Sequence, residues 1–449
     1  MTRSQLQAMT RSLDDLQVVR PIGRVAAVQG GTVQVTGLSN QVAIGDTLRI
    51  ARRGRGWLDA EILNVSETGL VALTDGTPDG VTKGDRVIAR GAARIAPSSA
   101  LIGRVIDPMG LPLDGAPLLP GEQDRQLAAS PPPAATRGGF GTRLETGINL
   151  FDTLLPIVRG QRLGLFAGSG VGKSHLLSDL AKSCDADVVV LGLVGERGRE
   201  LGEFVNHVLG PDGMKRSVVV AATSDRSALQ RRRCAQTAMT IAEHFRDDGA
   251  QVLLLLDSIT RFAEAHREVA IAAGELPAMR GFPASVAHSI MSLCERAGPG
   301  AGDTGDITAI FSVLVAGSDM EEPIADILRG VLDGHVVLDR KIAERGRFPA
   351  IDVGRSVSRS LPEAANDKEN ALIKETRKLL ASYAQAETLI QAGLYREGSD
   401  SVIDQSVRAQ EPLESFFSET SGRGSTEAFR QLALILRRAS SQGSSAQRR

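Results

Sequence analysis

A glycine-rich run that ends in Lys-Ser constrains the fold of this chain more than any other feature. The run Ala167-Gly168-Ser169-Gly170-Val171-Gly172-Lys173-Ser174 lies between an apolar stretch and a stretch of helical character. Strand, glycine-rich loop, Lys-Ser and helix together form the context of a phosphate-binding P-loop. Glycine permits positive φ and close backbone approach, so the loop N–H groups can surround phosphates at a positive helix N-terminus. The pattern therefore predicts a nucleoside triphosphate site.

Two side chains of this loop have specific expected contacts. Lys173 is expected to reach the β- and γ-phosphates, and the Ser174 hydroxyl is expected to hold Mg²⁺. Ala167 stands where the full pattern has glycine, which is a small departure. The alternative is a glycine-rich surface turn that happens to end in Lys-Ser, and the flanking strand and helix patterns disfavour it. The loop alone does not indicate what the nucleotide drives.

Composition excludes several classes of protein. The chain has 449 residues, 42% of them hydrophobic, and a formal net charge of -1. Near-zero charge argues against a broad nucleic-acid footprint, although a local basic patch stays open. Its three cysteines (Cys184, Cys234 and Cys294) are too widely spaced for a metal motif or a disulfide framework, so a reducing compartment is expected. We find neither an apolar run of about 20 residues nor a secretory signal pattern, and we expect a cytoplasmic protein.

The pattern of apolar residues changes three times along the chain. Residues 1–20 have the spacing of a short amphipathic helix, and residues 21–95 carry short apolar runs between glycine turns, typical of a small β-barrel or sandwich. In residues 96–362, after a linker near 126–137, β and α patterns alternate, which predicts a mostly parallel sheet covered by helices. Residues 363–449 are predicted to be helical, with a disordered polar tail from about 440. The strand candidates of the central part are 164–166, 187–192, 217–222, 251–256 and 307–316.

Charged residues at predicted strand ends are the candidates for chemistry. Asp257 ends an apolar run downstream of the loop, where a carboxylate can order Mg²⁺ or its waters. Glu196 follows another strand and could polarise an attacking water, but a solvated charged turn is an equally good interpretation. Arg197 and Arg261 could neutralise charge on the transferred phosphoryl group. The residue pattern gives Arg359 no role beyond that of a surface arginine.

Six stretches together resemble the ATPases of flagellar and type III protein export, which are similar to the catalytic β subunits of rotary ATP synthases. They are the segments 164–174, 195–200, 257–262, 295–298, 322–326 and 333–340. The resemblance covers about residues 20–400. It implies an α/β fold: a RecA-like P-loop ATPase core with a small N-terminal β-barrel domain and a C-terminal helical domain. It looks most like the flagellar branch.

The resemblance also implies roles for single residues and an assembly. It makes Glu196 the catalytic glutamate, and it places Lys173, Ser174 and Asp257 at the phosphate and Mg²⁺ positions. Arg197 and Arg261 match active-site arginines, and Phe348 matches an aromatic residue that stacks near adenine. Arg359 matches the arginine finger that a neighbouring subunit supplies. A finger supplied in trans requires an assembly, and the family forms homohexameric rings.

Partners follow from the resemblance as well. The implied ones are a dimeric stalk or regulator protein bound through the N-terminal helix, a membrane export gate, export substrates and their chaperones, at the inner face of the bacterial membrane. No nucleic-acid partner is expected. Ala284 departs from the proline usual in relatives, away from the chemistry. The segment after about residue 399 matches less clearly, so no docking role is carried over to it.

Three other functions compete with export of flagellar proteins. An injectisome ATPase of type III secretion is hard to separate from a flagellar one by sequence. A nucleotide-binding subunit without hydrolysis is disfavoured, because such subunits typically lack the glutamate at Glu196. A ring-shaped RNA translocase would also pair a small β-domain with a RecA-like core. The near-zero charge and the lack of an aromatic and basic stripe in residues 23–94 disfavour it.

Overall fold

The computed structural model describes most of the chain and gives the bounds of its elements. The described residues are 21–168, 170–278, 280–315, 320–419 and 424–446. The predicted N-terminal helix 1–20, Ser169 of the glycine-rich loop and residues 447–449 lie outside the described residues.

A closed barrel of six antiparallel strands forms the first unit. Its strands are β1 (Ile22–Gln29), β2 (Thr32–Thr36), β3 (Asp46–Arg52), β4 (Gly56–Ser66), β5 (Gly69–Thr74) and β6 (Arg86–Ala92). The order around the barrel is β1-β2-β5-β4-β3-β6, and the pairing of β1 with β6 closes it. Alternate side chains point inward, as Val33 and Val35 do. The second apolar pattern is therefore a barrel, not a sandwich.

An eight-stranded sheet forms the central unit. Its strands are β8 (Val105–Ile106), β10 (Arg162–Ala167), β11 (Val188–Glu196), β12 (Ser217–Thr223), β13 (Val252–Asp257), β14 (Ile307–Leu314), β15 (Gly334–Val337) and β16 (Val357–Ser358). They lie in the order β16-β15-β10-β14-β13-β11-β12-β8, and only the edge pair β15 and β16 is antiparallel. A small ribbon of β7 (Arg94–Ile95) and β9 (Arg125–Gln126) precedes it. All five predicted strands are present, with slightly different ends.

Helices cover both faces of this sheet. The α-helices of the described residues are, in chain order, α1 (Asn149–Asp152), α2 (Lys173–Ser183), α3 (Gly198–Glu203), α4 (Gly210–Met214), α5 (Ala228–Asp247), α6 (Ile259–Ala272), α7 (Ala284–Arg296), α8 (Pro323–Val331), α9 (Arg340–Glu344), α10 (Asp367–Gln391), α11 (Ser401–Ser418) and α12 (Gly424–Ala446). The last three belong to the C-terminal unit. Leu253 and Leu255 of β13 pack toward α2, and Leu254 and Leu256 pack toward α5 and α6. Burial on both faces explains the unbroken apolar run of this strand.

Buried ion pairs join the barrel to the central unit. The Glu61 carboxylate of β4 binds Arg232 and lies 2.9 Å from Arg233 Nη2, both on α5. Glu61 is 6% exposed and Arg233 is 1% exposed. Asp75 of the barrel accepts a second contact from the same helix, from Gln230 Nε2 at 3.0 Å. The barrel therefore docks on α5 through charged groups that are withdrawn from water.

Three helices make up the described part of the C-terminal unit. An Asn366–Glu369 capping box starts α10, and Ile373 and Leu379 of this helix are buried, as the apolar stripe predicted. Leu389, at the end of the same stripe, is half exposed. The last helix, α12, continues to Ala446 through most of the polar stretch for which the sequence predicted disorder. Within the described residues, no helix is long and apolar enough to cross a membrane.

Candidate nucleotide site

The glycine-rich loop lies at the carboxyl edge of the parallel strands. It leaves β10 after Ala167, which is fully buried, and enters α2 at Lys173. β10 lies in the middle of the sheet, between parallel neighbours β14 and β15. Gly170 and Gly172 have φ of +78° and +87°, which only glycine adopts readily. The described residues of the loop therefore lie between a strand and a helix, as the sequence predicts, and the helix starts at the loop.

Phe348 lies directly beside the loop. A Cβ built on Gly172 would come within 3.0 Å of Phe348 Cδ1, so the ring occupies the space next to this glycine. The ring is 49% exposed, although it is large and apolar. An exposed aromatic face next to a phosphate loop can stack on a nucleotide base. The structure thus brings together two predicted nucleotide-binding residues that are far apart in sequence.

Lys173 and Asp257 form an ion pair at the centre of the site. The Lys173 ammonium binds Asp257 Oδ1, and both side chains are largely buried. Asp257 ends β13, two strands from the loop strand β10, as expected for a carboxylate at the tip of the second acidic strand. The same Oδ1 accepts a 2.6 Å hydrogen bond from the Ser312 hydroxyl of β14. Sequence reasoning missed Ser312, although a polar residue within an apolar strand was a visible signal.

Glu196 lies at the end of β11, next to β13. The two strands are in register from Val188 and Val252 to Leu193 and Asp257, so Glu196 extends beyond Asp257 at the same edge. Burial raises the pKa of Glu196 from 4.5 to about 7, and the negative charges of Asp257 and Glu200 act in the same direction. Lys173 opposes them. A carboxyl group with a pKa near neutrality suits proton transfer better than an exposed glutamate does.

Arg197 and Arg261 lie at the same edge but are more exposed. Arg197 Nη1 is 3.1 Å from Glu200, and its side chain is 76% exposed. Arg261, in the first turn of α6, is 2.8 Å from Glu264. Its side chain also packs over Gly195, because a Cβ there would lie 3.4 Å from Arg261 Cβ. Each arginine pairs with a glutamate of its own segment. Both side chains are exposed enough to reach the opening of the site.

Arg359 lies at the opposite end of the sheet. It follows the edge strand β16, and its N–H donates to the Asp333 carbonyl at 3.0 Å. Asp333 in turn binds the backbone N–H of Arg162, the first residue of β10. Since β10 is six residues long, its two ends are roughly 17 Å apart at about 3.3 Å per residue. The structure does not bring exposed Arg359 to the loop of its own chain.

The oxygen donors at the edge fit Mg²⁺ bound together with a nucleotide. The Ser174 side chain is exposed at the start of α2, and the Asp257 carboxylate lies beside Lys173. In the part of the chain that the structure describes, no cluster of three or more His, Cys, Asp or Glu residues could hold a metal ion by itself. Mg²⁺ usually takes one or two protein oxygens and the rest from phosphates and water. A hydroxyl and a carboxylate at a phosphate loop match that preference.

Known families match two long segments of the chain. Residues 147–358 match the family described as ATP synthase alpha/beta family, nucleotide-binding domain. Residues 365–432 match the T3SS EscN ATPase C-terminal domain. The first segment includes the glycine-rich loop and both strand-end carboxylates, and the second includes most of the C-terminal helices.

Similar proteins match over nearly the whole chain. A flagellum-specific ATP synthase of Caulobacter vibrioides is 46% identical and covers 93% of this chain and 95% of its own. A type 3 secretion system ATPase of Xanthomonas euvesicatoria is 40% identical, with 92% of each chain covered. Among solved structures, the assembled ATPase EscN from the type III secretion system of enteropathogenic E. coli has a TM-score of 0.83 at 36% identity. It covers 92% of this chain and 100% of that one.

Proposed function

The chain belongs to the ATP synthase alpha/beta family, among its flagellum-specific and type 3 secretion ATPases, and on that premise we propose that it forms a homohexameric ring whose ATP hydrolysis energises export of flagellar proteins. Family membership makes the chain an ATPase with a RecA-like core, a β-barrel and C-terminal helices. The ring, the export role and the residue roles are the proposal.

The separation of Arg359 from the loop carries the proposal. The loop, Asp257 and Glu196 share the carboxyl edge of the sheet, and Arg359 is exposed near the amino end of β10. In this structure, an arginine in that place is far from the loop of its own chain and is free to act on the site of another subunit. Repeated head-to-tail contacts of this kind close into a ring. The similar EscN protein was solved as an assembled ATPase, which supports an assembly here.

In this proposal, the chain's own groups perform distinct steps on ATP. The loop N–H groups and Lys173 bind the phosphates, and Phe348 stacks on the base. Mg²⁺, held through Ser174 and Asp257, would neutralise charge on the β- and γ-phosphates. Glu196 accepts a proton from the attacking water. Three arginines stabilise the charge on the transferred phosphoryl group: Arg197, Arg261 and Arg359 of the neighbouring subunit.

Further partners belong to the proposal. A complex of EscN with its central stalk EscO has been solved, and its EscN chain has a TM-score of 0.82 with this chain. By analogy, we infer a dimeric stalk or regulator that binds residues 1–20. We also infer that the protein acts at the inner face of the bacterial membrane, where it would contact an export gate, export substrates and their chaperones.

Injectisome secretion is the second candidate function. Relatives named type 3 secretion system ATPase are 40% and 42% identical, close to the values for flagellar relatives. The match of the C-terminal helices to the EscN domain favours this candidate too. Deletion of the gene separates the two: loss of swimming with normal effector secretion supports the flagellar function, and the converse supports the injectisome.

Complementation between two inactive variants tests the assembly and the trans role of Arg359. Lys173→Ala removes the loop lysine and keeps Arg359, whereas Arg359→Ala removes the arginine and keeps the loop lysine. A ring made of either variant alone is expected to lose ATP turnover. In a one-to-one mixed ring, about a quarter of the interfaces combine an intact loop with an intact finger. ATPase activity should therefore return on mixing.

The controls separate a trans role from a cis role. Arg430→Ala removes an arginine of similar exposure on α12 and should neither lose activity nor affect the mixture. No recovery in mixed rings that are shown to form by sedimentation would contradict a role in trans. Full ATPase activity of the Arg359→Ala variant by itself would show that Arg359 has no role in hydrolysis.

A further inference from the structure

Ser312 is a buried hydroxyl in the strand between the two halves of the phosphate site. Its strand, β14, pairs with the loop strand β10 on one side and with β13, which ends in Asp257, on the other. Ser312 is fully buried. Its Oγ donates to Asp257 Oδ1 at 2.6 Å.

This contact has the geometry of a charge-assisted hydrogen bond. Hydroxyl-to-carboxylate bonds of about 2.5–2.7 Å are roughly twice as strong as neutral ones. A buried hydroxyl is unfavourable without a partner, and the neighbours Phe311 and Val313 are buried and apolar. The carboxylate is therefore the partner that makes a polar residue acceptable at this point of the strand.

The two oxygens of Asp257 have different surroundings. Oδ1 binds both the Lys173 ammonium and the Ser312 hydroxyl. Oδ2 makes no hydrogen bond to any residue within the described ranges. A triphosphate in the loop would compete with Asp257 for Lys173, whereas it cannot reach the fully buried Ser312. Ser312 is then the group that keeps Oδ1 fixed.

We propose that Ser312 is a positioning residue for Asp257: its hydroxyl holds Oδ1 and so keeps Oδ2 directed to the site of Mg²⁺ and its waters. The inference rests on the proposed function, which assigns Asp257 to Mg²⁺. Groups of this kind, which orient a metal-binding carboxylate, typically change metal affinity by about 10–100-fold when they are removed.

Binding of the non-hydrolysable analogue AMP-PNP to the full chain, with Mg²⁺ and with a chelator, tests this role without relying on turnover. In wild type, Mg²⁺ should strengthen binding. In Ser312→Ala, the gain from Mg²⁺ should shrink by about tenfold, with metal-free affinity within about twofold of wild type. Ser312→Thr keeps the hydroxyl and should restore the gain. Ser312→Cys, a weaker donor of similar size, should give a smaller loss in the same direction.

A second buried hydroxyl on the same strand provides the matched control. Thr308 Oγ1 accepts a hydrogen bond from Gly160 N–H at 3.0 Å, four residues before Ser312 and at the far end of β14. Thr308→Val should lower the melting temperature and leave the Mg²⁺ gain unchanged. If Thr308→Val and Ser312→Ala reduce the Mg²⁺-dependent increase in AMP-PNP affinity equally, the cause is a general packing effect and the proposal is overturned.

Asp257→Asn distinguishes failure of this inference from failure of the assignment beneath it. If Asp257→Asn loses the Mg²⁺ gain and Ser312→Ala keeps it, Ser312 has no positioning role. If Asp257→Asn itself keeps the gain, the assignment of Asp257 to Mg²⁺ is wrong, and the inference falls with it. Loss of the gain in both variants, with rescue by Ser312→Thr, supports both.

Discussion

At the scale of single residues, the proposed role of Glu196 links catalysis to pH through its pKa. The carboxyl group must be ionised to accept a proton from water, and burial with nearby negative charge raises its pKa to about 7. The value of kcat/KM should therefore rise with pH through about 7 on its acid side, as measured by steady-state hydrolysis over pH 5–9. In Glu196→Gln the rate should collapse by about 10²–10⁴-fold and this acid limb should vanish. A full acid limb in the variant would assign it to another group.

The same shift predicts an effect of Glu196 on stability. Its pKa is higher in the folded chain, about 7, than its ordinary value of 4.5, so the folded state prefers the protonated group. Below about pH 4.5 the group is protonated in both states and does not lower the free energy of unfolding. As pH rises from 4.5 through 7, ionisation favours the unfolded chain, and the free energy of unfolding falls. Glu196→Gln should therefore melt higher than wild type at pH 8 and equally at pH 4.5, as measured by thermal unfolding. An equal difference at both pH values would exclude ionisation as its cause.

At the scale of elements, the turn from β10 into α2 depends on Gly172 for two reasons. Its φ is +87°, and a Cβ would meet the Phe348 ring at 3.0 Å. Gly172→Ala adds strain of roughly 1–2 kcal/mol and displaces the ring, so nucleotide affinity should fall about tenfold in a direct binding measurement. Gly54→Ala is the matched control, because Gly54 has a φ of +67° but open space around its Cβ position. It should lose stability alone, and an equal loss of affinity there would contradict a local effect at the loop.

The joint between the barrel and α5 gives a second prediction at this scale. The charges of Arg232 and Arg233 outweigh the effect of burial and hold the pKa of Glu61 below its ordinary value. Glu61→Gln leaves both arginines without a counter-charge and should lower the free energy of unfolding by about 3 kcal/mol near pH 7. The difference should diminish as pH falls below 4.5, where Glu61 of the unfolded chain becomes protonated, and should vanish below the lowered pKa of Glu61 in the folded chain.

An exposed ion pair on the same barrel serves as the reference. Asp59 lies 3.2 Å from Arg49, and both side chains are about half exposed. Asp59→Asn should change the free energy of unfolding by less than about 1 kcal/mol in the same denaturant titration. Similar losses in Asp59→Asn and Glu61→Gln would show that burial does not decide the strength of these pairs.

Local patterns allowed the core elements of the site to be predicted, whereas long-range contacts did not show in the sequence. The glycine-rich loop and the strands that end in Glu196 and Asp257 are local signals, since glycine positions and apolar runs act within a few residues. The hydrogen bond of Ser312 to Asp257 joins residues 55 apart, and the ion pair of Glu61 with Arg233 joins residues 172 apart. Such partners are set by strand order and domain docking, which no short pattern encodes.

Asp333 and Glu295 show the same limit on a larger scale. The resemblance singled out both segments but gave these residues no role. In the structure, Arg162 binds Asp333 through Nε at 2.9 Å and Glu295 through Nη1 at 2.6 Å. Because the Asp333 carbonyl accepts the Arg359 N–H, this ion-pair cluster fixes the start of β10 next to the segment that carries Arg359. Four separate segments, those of Arg162, Glu295, Asp333 and Arg359, meet here in the folded chain.

At the scale of the whole molecule, the proposed active site needs a neighbouring chain, so turnover is expected to depend on assembly. The loop, Glu196 and Asp257 belong to one chain, so a single chain should bind AMP-PNP with an affinity that does not depend on its concentration. Hydrolysis in this proposal also needs Arg359 from the next chain. ATP turnover per chain should therefore fall steeply on dilution, over the range in which sedimentation shows the assembly separating into single chains.

Arg359→Ala provides the comparison within this dilution series. It should bind AMP-PNP like wild type and hydrolyse ATP slowly at every concentration, assembled or not, because its rings lack the group that the neighbour supplies. If wild-type chains that sediment singly keep their full turnover per chain, the site is complete within one chain. The distance between Arg359 and the loop would then have to close by movement within the subunit.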